Sequence, residues 1–288
     1  MPNPTDHGRD YLVAPRFLAG PTYTGDHVLD PLRNAGWTLS HDELGNFFAA
    51  TPDHTVRVAY LPEGTRGDLW VITAHHDAWA APEWQVTVDL AAAPEIVAEL
   101  TTTLAAAQSA AYGSVVHGPT GGFDLTYRLL DEHSWQQGNE PARALFRSPD
   151  GLVTLYRHLG HLDYDDEMTG DLERWTIKVG PPGHRWYATA TSNTPDRFLE
   201  TLTNAVTDPA PVQRHLRRSE LSRLPAQATA TPTAPSPLEV ARVRAASSRS
   251  LSVPRTAPTP GTGGSVLAYT TTTRPISLPK SAPAGRAR

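Results

Sequence analysis

The feature of this sequence that most constrains its fold is a set of anchors that occurs twice in the same order. Each set runs from a tryptophan that closes a helical segment, through a Thr/Ser-Pro-Asp turn and two tryptophan-containing apolar runs, to a helix that begins at a proline. The paired anchors are Trp37 and Trp135, Pro52 and Pro149, Trp70 and Trp175, Trp84 and Trp186, and Pro94 and Pro195. The pairs lie 98, 97, 105, 102 and 101 residues apart, so the second set has a longer loop before its third anchor. Repetition at a fixed period predicts two copies of one folding unit.

The local patterns around the anchors indicate what that unit contains. A proline followed by an aspartate is typical of turns, and apolar residues alternate on both sides of each turn, which predicts a β-hairpin. The runs that begin at Trp70 and at Trp84 place every second residue on one apolar face, as a strand with one covered side requires. Pro94 and Pro195 suit the first turn of helices that would cover this face.

These patterns predict an α+β fold class, in which a small antiparallel-sheet domain is duplicated in tandem. Each copy would consist of a helix, about four strands and a helix, and a disordered C-terminal tail would follow. The predicted domains are 11–105 and 112–206, with the tail at 207–288. The tail is rich in Pro, Ala, Thr and Arg and carries 12 basic and 3 acidic residues, which leaves residues 1–206 with a net charge of −14. Such a composition buries too little apolar surface to offset the entropy of ordering.

The Thr/Ser-Pro-Asp anchors, taken together with Gly36-Trp37, Trp70, Trp84 and the Pro-Glu helix start, resemble the SPDY-type domain of unknown function. That family is found in actinobacteria, usually as tandem pairs. The resemblance covers most of residues 11–206. It implies a duplicated α+β module, and it implies no activity, ligand or catalytic residue.

The composition restricts the classes of function that the chain can have. There is no cysteine, so disulfides, thiolate metal sites and cysteine nucleophiles are excluded. The first ten residues lack the build of a signal peptide, and no window approaches about 18 consecutive apolar residues. We therefore expect a cytoplasmic protein with no membrane partner.

One candidate binding site lies at the end of the third strand of the first copy. His75, His76 and Asp77 could bind a metal or act as a general base with an orienting carboxylate. Adjacent residues on a strand point to opposite faces, which makes a shared metal difficult and favours a solvated loop. Trp79 follows in the same loop and has no counterpart in the second copy, so it is the tryptophan we expect to make an exposed contact.

The densest set of possible metal ligands lies in the longer loop of the second copy. His158 and His161 are three residues apart, and Asp163 and Asp165 follow within the same acidic run. A divalent cation could be held there, although acidic runs are more often solvated. The strings that mark serine hydrolases, zinc peptidases, phosphate loops and dinucleotide-binding folds are missing, and we predict no cofactor.

These observations leave three functions in order of preference. The first is a non-enzymatic protein-interaction module whose partner is another protein. The second is a metal-dependent enzyme that uses the loop His158–Glu167. The third is a nucleic-acid accessory protein that makes weak polyanion contacts through the tail, beginning at Arg214, Arg217 and Arg218.

Overall fold

The computed structural model describes residues 8–22, 26–62, 69–110 and 115–234, and these form one compact unit. The first elements are β1 (Arg9–Ala14), α1 (Asp26–Asn34), β2 (Thr38–His41), β3 (Phe47–Ala50), β4 (Val56–Leu61), β5 (Leu69–His75), β6 (Pro82–Asp89) and α2 (Pro94–Ala110). They are followed by α3 (Phe123–Asp131), β7 (Gln136–Glu140), β8 (Arg143–Arg147), β9 (Val153–His158), α4 (Tyr164–Thr169), β10 (Trp175–Val179), β11 (Trp186–Ala190), α5 (Asp196–Thr207), β12 (Val212–Leu216), α6 (Arg218–Leu221) and β13 (Thr229–Pro232).

Ten of the strands form one antiparallel sheet in the order β2-β3-β4-β5-β6-β11-β10-β9-β8-β7. The strands of each half pair in sequence, as a meander, and the halves join where β6 pairs with β11. At this junction Val86, Thr87 and Val88 lie opposite Ala190, Thr189 and Ala188. A second sheet has three strands in the order β12-β1-β13.

The predicted fold class is wrong. The described residues are mostly β, and they do not form two α+β domains of helix, about four strands and helix. Each half contributes five strands, and its last strand has a partner in the other half because an unpaired inner edge would leave a row of backbone groups without hydrogen bonds. The predicted tail also begins with structure, since β12 and β13 pair with β1; residues 235–288 lie outside the described residues.

One face of the large sheet is covered by α1, α2, α3 and α5, and the core lies between them. The period-2 pattern of the sequence correctly predicted which strand residues face this core. Those residues are Trp70, Ile72, Ala74, Trp84, Val86 and Val88 in the first half and Trp175, Ile177, Val179, Trp186, Ala188 and Ala190 in the second, and all are buried. Trp84 also packs against Phe198 of α5, with ring centroids 5.1 Å apart. Truncating a buried aromatic of this kind to alanine costs about 3–5 kcal/mol.

The three-stranded sheet is attached to the helical layer by buried arginines. Arg214 of β12 donates to both carboxylate oxygens of Glu95 on α2, at 2.6 and 2.7 Å, and its side chain is 3% exposed. Arg16, which follows β1, pairs with Glu99 at 2.5 Å and donates to the carbonyl of Ala205 at 3.0 Å. These bonds order residues beyond 206, because a buried guanidinium requires its partner.

The Glu95–Arg214 pair should make stability depend on pH. Burial alone would raise the pKa of Glu95, but the hydrogen bonds and charge of Arg214 outweigh burial and lower it. A carboxyl whose pKa is lower in the folded state stabilises the fold above its unfolded value, here 4.5, and loses that contribution as the pH falls through the folded value.

We expect Glu95→Gln to lower the free energy of unfolding by about 3 kcal/mol at pH 7, because Arg214 stays buried without a carboxylate. The difference from the wild type should narrow as the pH falls below 4.5. Urea unfolding at stepped pH measures both values, with the exposed Glu43→Gln as the control. A difference that is independent of pH would contradict the assignment.

Candidate interaction surface

The loop between β5 and β6 exposes one large aromatic side chain. Trp79 is 95% exposed, whereas none of the other six tryptophans of the chain is more than 6% exposed. An isolated exposed apolar residue is ordinary, but a fully exposed indole is uncommon because it forgoes a large burial energy. Trp79 is thus exposed, as expected from the sequence, and the contact it would make remains a prediction.

Hydrogen bonds from several directions hold this loop. The Asp77 carboxylate accepts from the backbone N–H groups of Trp79 at 2.8 Å and Ala80 at 2.9 Å. Arg57 of β4 donates to the carbonyl of Ala78 at 2.5 Å. The ring of His75 bonds the carbonyl of Ala80 at 2.9 Å. The loop thus presents Trp79 from a fixed backbone.

The structure gives His75, His76 and Asp77 different surroundings. His75 is buried, and its two ring nitrogens bond the Ala80 carbonyl and the Thr73 hydroxyl at 2.9 and 3.0 Å. His76 is exposed, with its ring centroid 6.3 Å from that of His117. The carboxylate of Asp77 accepts hydrogen bonds from the backbone of the loop. These residues shape and support the loop, and their use as a metal or base site remains a prediction.

The predicted metal ligands are spread along the segment that leads from β9 into α4. The Nδ1 of His158 accepts from the Gly160 N–H at 3.1 Å, whereas His161 and Asp163 approach each other at 3.5 Å with both side chains largely exposed. Asp165 is exposed in the first turn of α4. Within the described ranges, no three His, Cys, Asp or Glu side chains are grouped so that they could hold a metal ion.

Helix α4 is fixed against the large sheet near the Trp79 loop. Glu167 is buried and accepts from both the N–H and the hydroxyl of Ser192, each at 2.8 Å. Tyr164 donates to the carbonyl of Pro82, three residues after Trp79, at 2.8 Å. Arg174 donates to the carbonyls of His158 and Gly160 at 2.6 and 2.8 Å, which holds the start of this segment.

The loop and α4 together form a surface that is both aromatic and acidic. We call it the Trp79 ridge and define it by Asp77, Trp79, Asp163, Tyr164 and Asp165. All five residues are exposed, and Tyr164 is 44% exposed. Burial raises the pKa of Tyr164, and the nearby carboxylates of Asp165 and Glu83 raise it further.

The side of the ten-stranded sheet that the helices leave uncovered is a second surface, which we call the open face. One row of opposed residues crosses all ten strands: Ser40, Phe48, Ala59, Val71, Thr87, Thr189, Thr176, Tyr156, Leu145 and Gly138. None of the ten is buried. At the junction of the halves, the hydroxyls of Thr87 and Thr189 bond each other at 2.8 Å.

Sequence reasoning missed four cations on the open face of the second half. They are Arg143 and Arg147 on β8, Lys178 on β10 and Arg174 immediately before β10. Each of the four is next to a buried residue in the chain, so the alternation of the strands already indicated that it lies on the open face. The sequence did not indicate that β8 and β10 lie on either side of β9, which brings the four cations to one region of that face.

The two Thr/Ser-Pro-Asp turns make the same hydrogen bonds. Thr51 and Ser148 each donate to the aspartate two residues on, at 2.6 and 2.5 Å, and accept from the backbone N–H five residues on, at 3.1 and 2.9 Å. The aspartate in turn accepts from the N–H two residues further, at 3.1 and 3.0 Å. The motif is therefore a turn between paired strands, in which the hydroxyl and the carboxylate form hydrogen bonds within the turn itself.

Residues 147–212 match the model of the SPDY family, a domain of unknown function (DUF317). The matched segment begins immediately before the Ser148-Pro149-Asp150 turn and ends at the start of β12, so the predicted resemblance is confirmed for these residues. No curated protein and no solved structure matches the sequence. Among the residues that the structure describes, no helix combines the length and apolar character needed to cross a membrane.

We expect Ser148→Ala to lower the free energy of unfolding by about 1–2 kcal/mol, because the buried N–H of Val153 loses its acceptor. Ser148→Thr should be nearly neutral, since Thr51 makes the same bonds in the other turn. Denaturant unfolding compares the two variants. Equal losses for alanine and threonine would show that the hydroxyl is unimportant.

We expect Trp79→Phe to remove most of the acrylamide-quenchable tryptophan fluorescence, because the other six indoles are buried. Trp70→Phe is the control, since Trp70 is 6% exposed and its loss should leave the quenchable component in place. Stern–Volmer slopes measure the effect. An unchanged slope in Trp79→Phe would mean that this indole is covered in solution.

Proposed function

We propose that this SPDY-domain chain is a non-enzymatic, cytoplasmic protein-interaction module, and that Trp79 is the anchor that enters a pocket on its partner. The observation that carries the proposal is a 95% exposed indole on a loop whose backbone is held by hydrogen bonds. Binding hot spots are enriched in tryptophan, and a few such anchors carry most of the energy of an interface.

The rigidity of the loop supports this role. Ordering a flexible loop on association costs free energy, and a loop that is already ordered avoids this cost. The bonds from Asp77, Arg57 and His75 keep the backbone from Ala78 to Ala80 in place before a partner arrives. A solvated loop without a binding role would not need three side chains to present one indole.

The charge of the ridge defines the chemistry of the partner. Asp77 lies two residues before Trp79 in the loop, and Asp163 and Asp165 flank Tyr164 at the start of α4, so each exposed aromatic side chain has carboxylates beside it in the chain. Like charges across an interface oppose association, and complementary charges steer it. The partner is therefore a protein with an apolar pocket wide enough for an indole and with lysine or arginine on its rim.

We expect Trp79→Ala to weaken binding of this partner by about 2–4 kcal/mol, the range found for buried tryptophan hot spots. The measurement is quantitative capture from native lysate with the full chain as bait. Leu44→Ala is the matched control, because Leu44 is also an exposed apolar residue in a hairpin turn, 66% exposed. The partner is the protein that the Trp79→Ala bait fails to capture and the Leu44→Ala bait still captures. A bait with Asp163→Lys/Asp165→Lys should capture less of this protein than the wild type, because lysines would repel its basic rim.

Thermal unfolding separates binding from folding in this comparison. Because Trp79 contributes almost no packing, Trp79→Ala should unfold at the wild-type temperature. If Trp79→Ala captures the same proteins in the same amounts as the wild type, the ridge is not the binding site and the proposal is wrong.

A further inference from the structure

The open face of the second half carries a rectangle of cations. Arg143 and Arg147 lie four residues apart on β8. Lys178 of β10 lies at the level of Arg147, and Arg174, the residue immediately before β10, lies at the level of Arg143. With about 3.4 Å per residue and about 4.8 Å between strands, the sides measure about 14 Å along the strands and about 10 Å across them. Tyr156 of β9 lies at the centre, opposite Leu145 and Thr176.

These cations are not neutralised by ion pairs in the part of the chain that the structure describes. Lys178 donates to the hydroxyl of Tyr156 at 2.9 Å, and Arg174 bonds two backbone carbonyls and the Ser192 hydroxyl. Arg143 and Arg147 are exposed. The nearest carboxylates are at the Arg143 corner, where Glu140 is the cross-strand neighbour and the charge of Arg143 acts on Glu173. Arg147 and Lys178 are farther from these two carboxylates, and the carboxylate on their other side is Asp89 of β6, which lies across β11 from Lys178 and accepts from the N–H of Tyr187 at 2.7 Å.

The charge of the rectangle is opposite to that of the helical layer on the other side of the sheet. Helices α1, α2, α3 and α5, on the other side of the sheet, carry eight acidic residues and three arginines. The open-face positions of β3 and β5 that correspond to Arg147 and Lys178 are Ala50 and Thr73, which are uncharged. An anionic partner would thus be steered to one half of one face.

Aromatic and hydroxyl groups lie among the cations. Tyr187 of β11, the cross-strand neighbour of Lys178, is 40% exposed, and Tyr156 is partly exposed between β8 and β10. Thr176 adds a partly exposed hydroxyl opposite Tyr156, whereas Thr154 is buried. Cations that track a backbone, together with aromatic rings on which bases stack, are the combination by which sheet surfaces bind single-stranded nucleic acid.

From this arrangement we propose that the open face of the second half binds single-stranded nucleic acid, with Arg147 and Lys178 on its phosphates and Tyr187 stacked on a base. A duplex hides its bases and would leave the tyrosine without a stacking partner. An acidic peptide would form ion pairs with the cations but would have no base to stack on the ring of Tyr187. The site is separate from the Trp79 ridge, whose carboxylates repel phosphate, and it does not depend on the function proposed above.

The test is fluorescence anisotropy of the full chain with a labelled oligothymidine of about 20 nucleotides, at several salt concentrations. Arg147→Gln/Lys178→Gln should weaken binding at least tenfold and lower the slope of log K against log salt by about 1.4, the value for two phosphate contacts on a single strand. The control Arg33→Gln/Arg223→Gln removes two exposed arginines outside the ten-stranded sheet and should leave the slope unchanged. Circular dichroism checks that each variant is folded.

A second set of variants and probes tests the choice of nucleic acid. Tyr187→Ala should weaken oligothymidine binding about tenfold, and Tyr187→Phe should restore it, because the ring and not the hydroxyl stacks. Trp79→Ala should bind as the wild type does. If Arg147→Gln/Lys178→Gln binds the oligonucleotide as tightly as the wild type, or if a poly-glutamate peptide binds equally well and Tyr187→Ala has no effect, the proposal is overturned.

Discussion

The structure depends on the pairing of β6 with β11. This pairing joins two five-strand meanders into one sheet, and it does so with short side chains: valine opposite alanine on the covered face and threonine opposite threonine on the open face. Without it, each half would present an inner edge of unpaired backbone groups and an incomplete apolar face. With it, Trp84 of β6 and Phe198 of α5 pack together although they belong to different halves. The core is therefore continuous, and the two halves share it.

A continuous sheet has two faces, and the chain uses them differently. The helices with their excess of carboxylates cover one face, while the other is left with threonines across the middle and cations in the second half. The net charge of −5 for the whole chain hides this separation. A net charge of −14 for residues 1–206, spread evenly, would oppose nucleic-acid binding by this part of the chain. The alternation of residues along the strands instead sorts the charges by side.

The candidate surfaces were visible in the sequence to different degrees. Trp79 stood out because it is the one tryptophan without an equivalent in the other half of the sequence. It lies in a loop and not on the apolar face of a strand, and it is exposed. The histidines near it were harder to place: His75 is buried and His76 is exposed, because the strand register shifts between Ala74 and His75 and β5 ends at His75. The ridge as a whole could not be predicted, because it needs Tyr164 to reach Pro82 across 82 residues. Arg214, expected to contact a polyanion, instead pairs with Glu95 in a buried position that composition could not indicate.

The sequence by itself determined the local structure: which residues turn, which alternate and which tryptophans are buried. The two Thr/Ser-Pro-Asp turns form the same hydrogen bonds because those bonds join residues at most five positions apart. Only the tertiary structure decided that the halves form one sheet, that residues 212–232 belong to a second sheet, and that four cations meet on one face. The first two outcomes depend on backbone pairings between segments about 100 or more residues apart, whereas the third depends on the pairing of β9 with both β8 and β10. The alternation of residues in a strand predicts which of its sides will be covered. It does not predict which other strand will pair with it, because any free strand edge of suitable register could do so. That choice is made only when the whole chain packs.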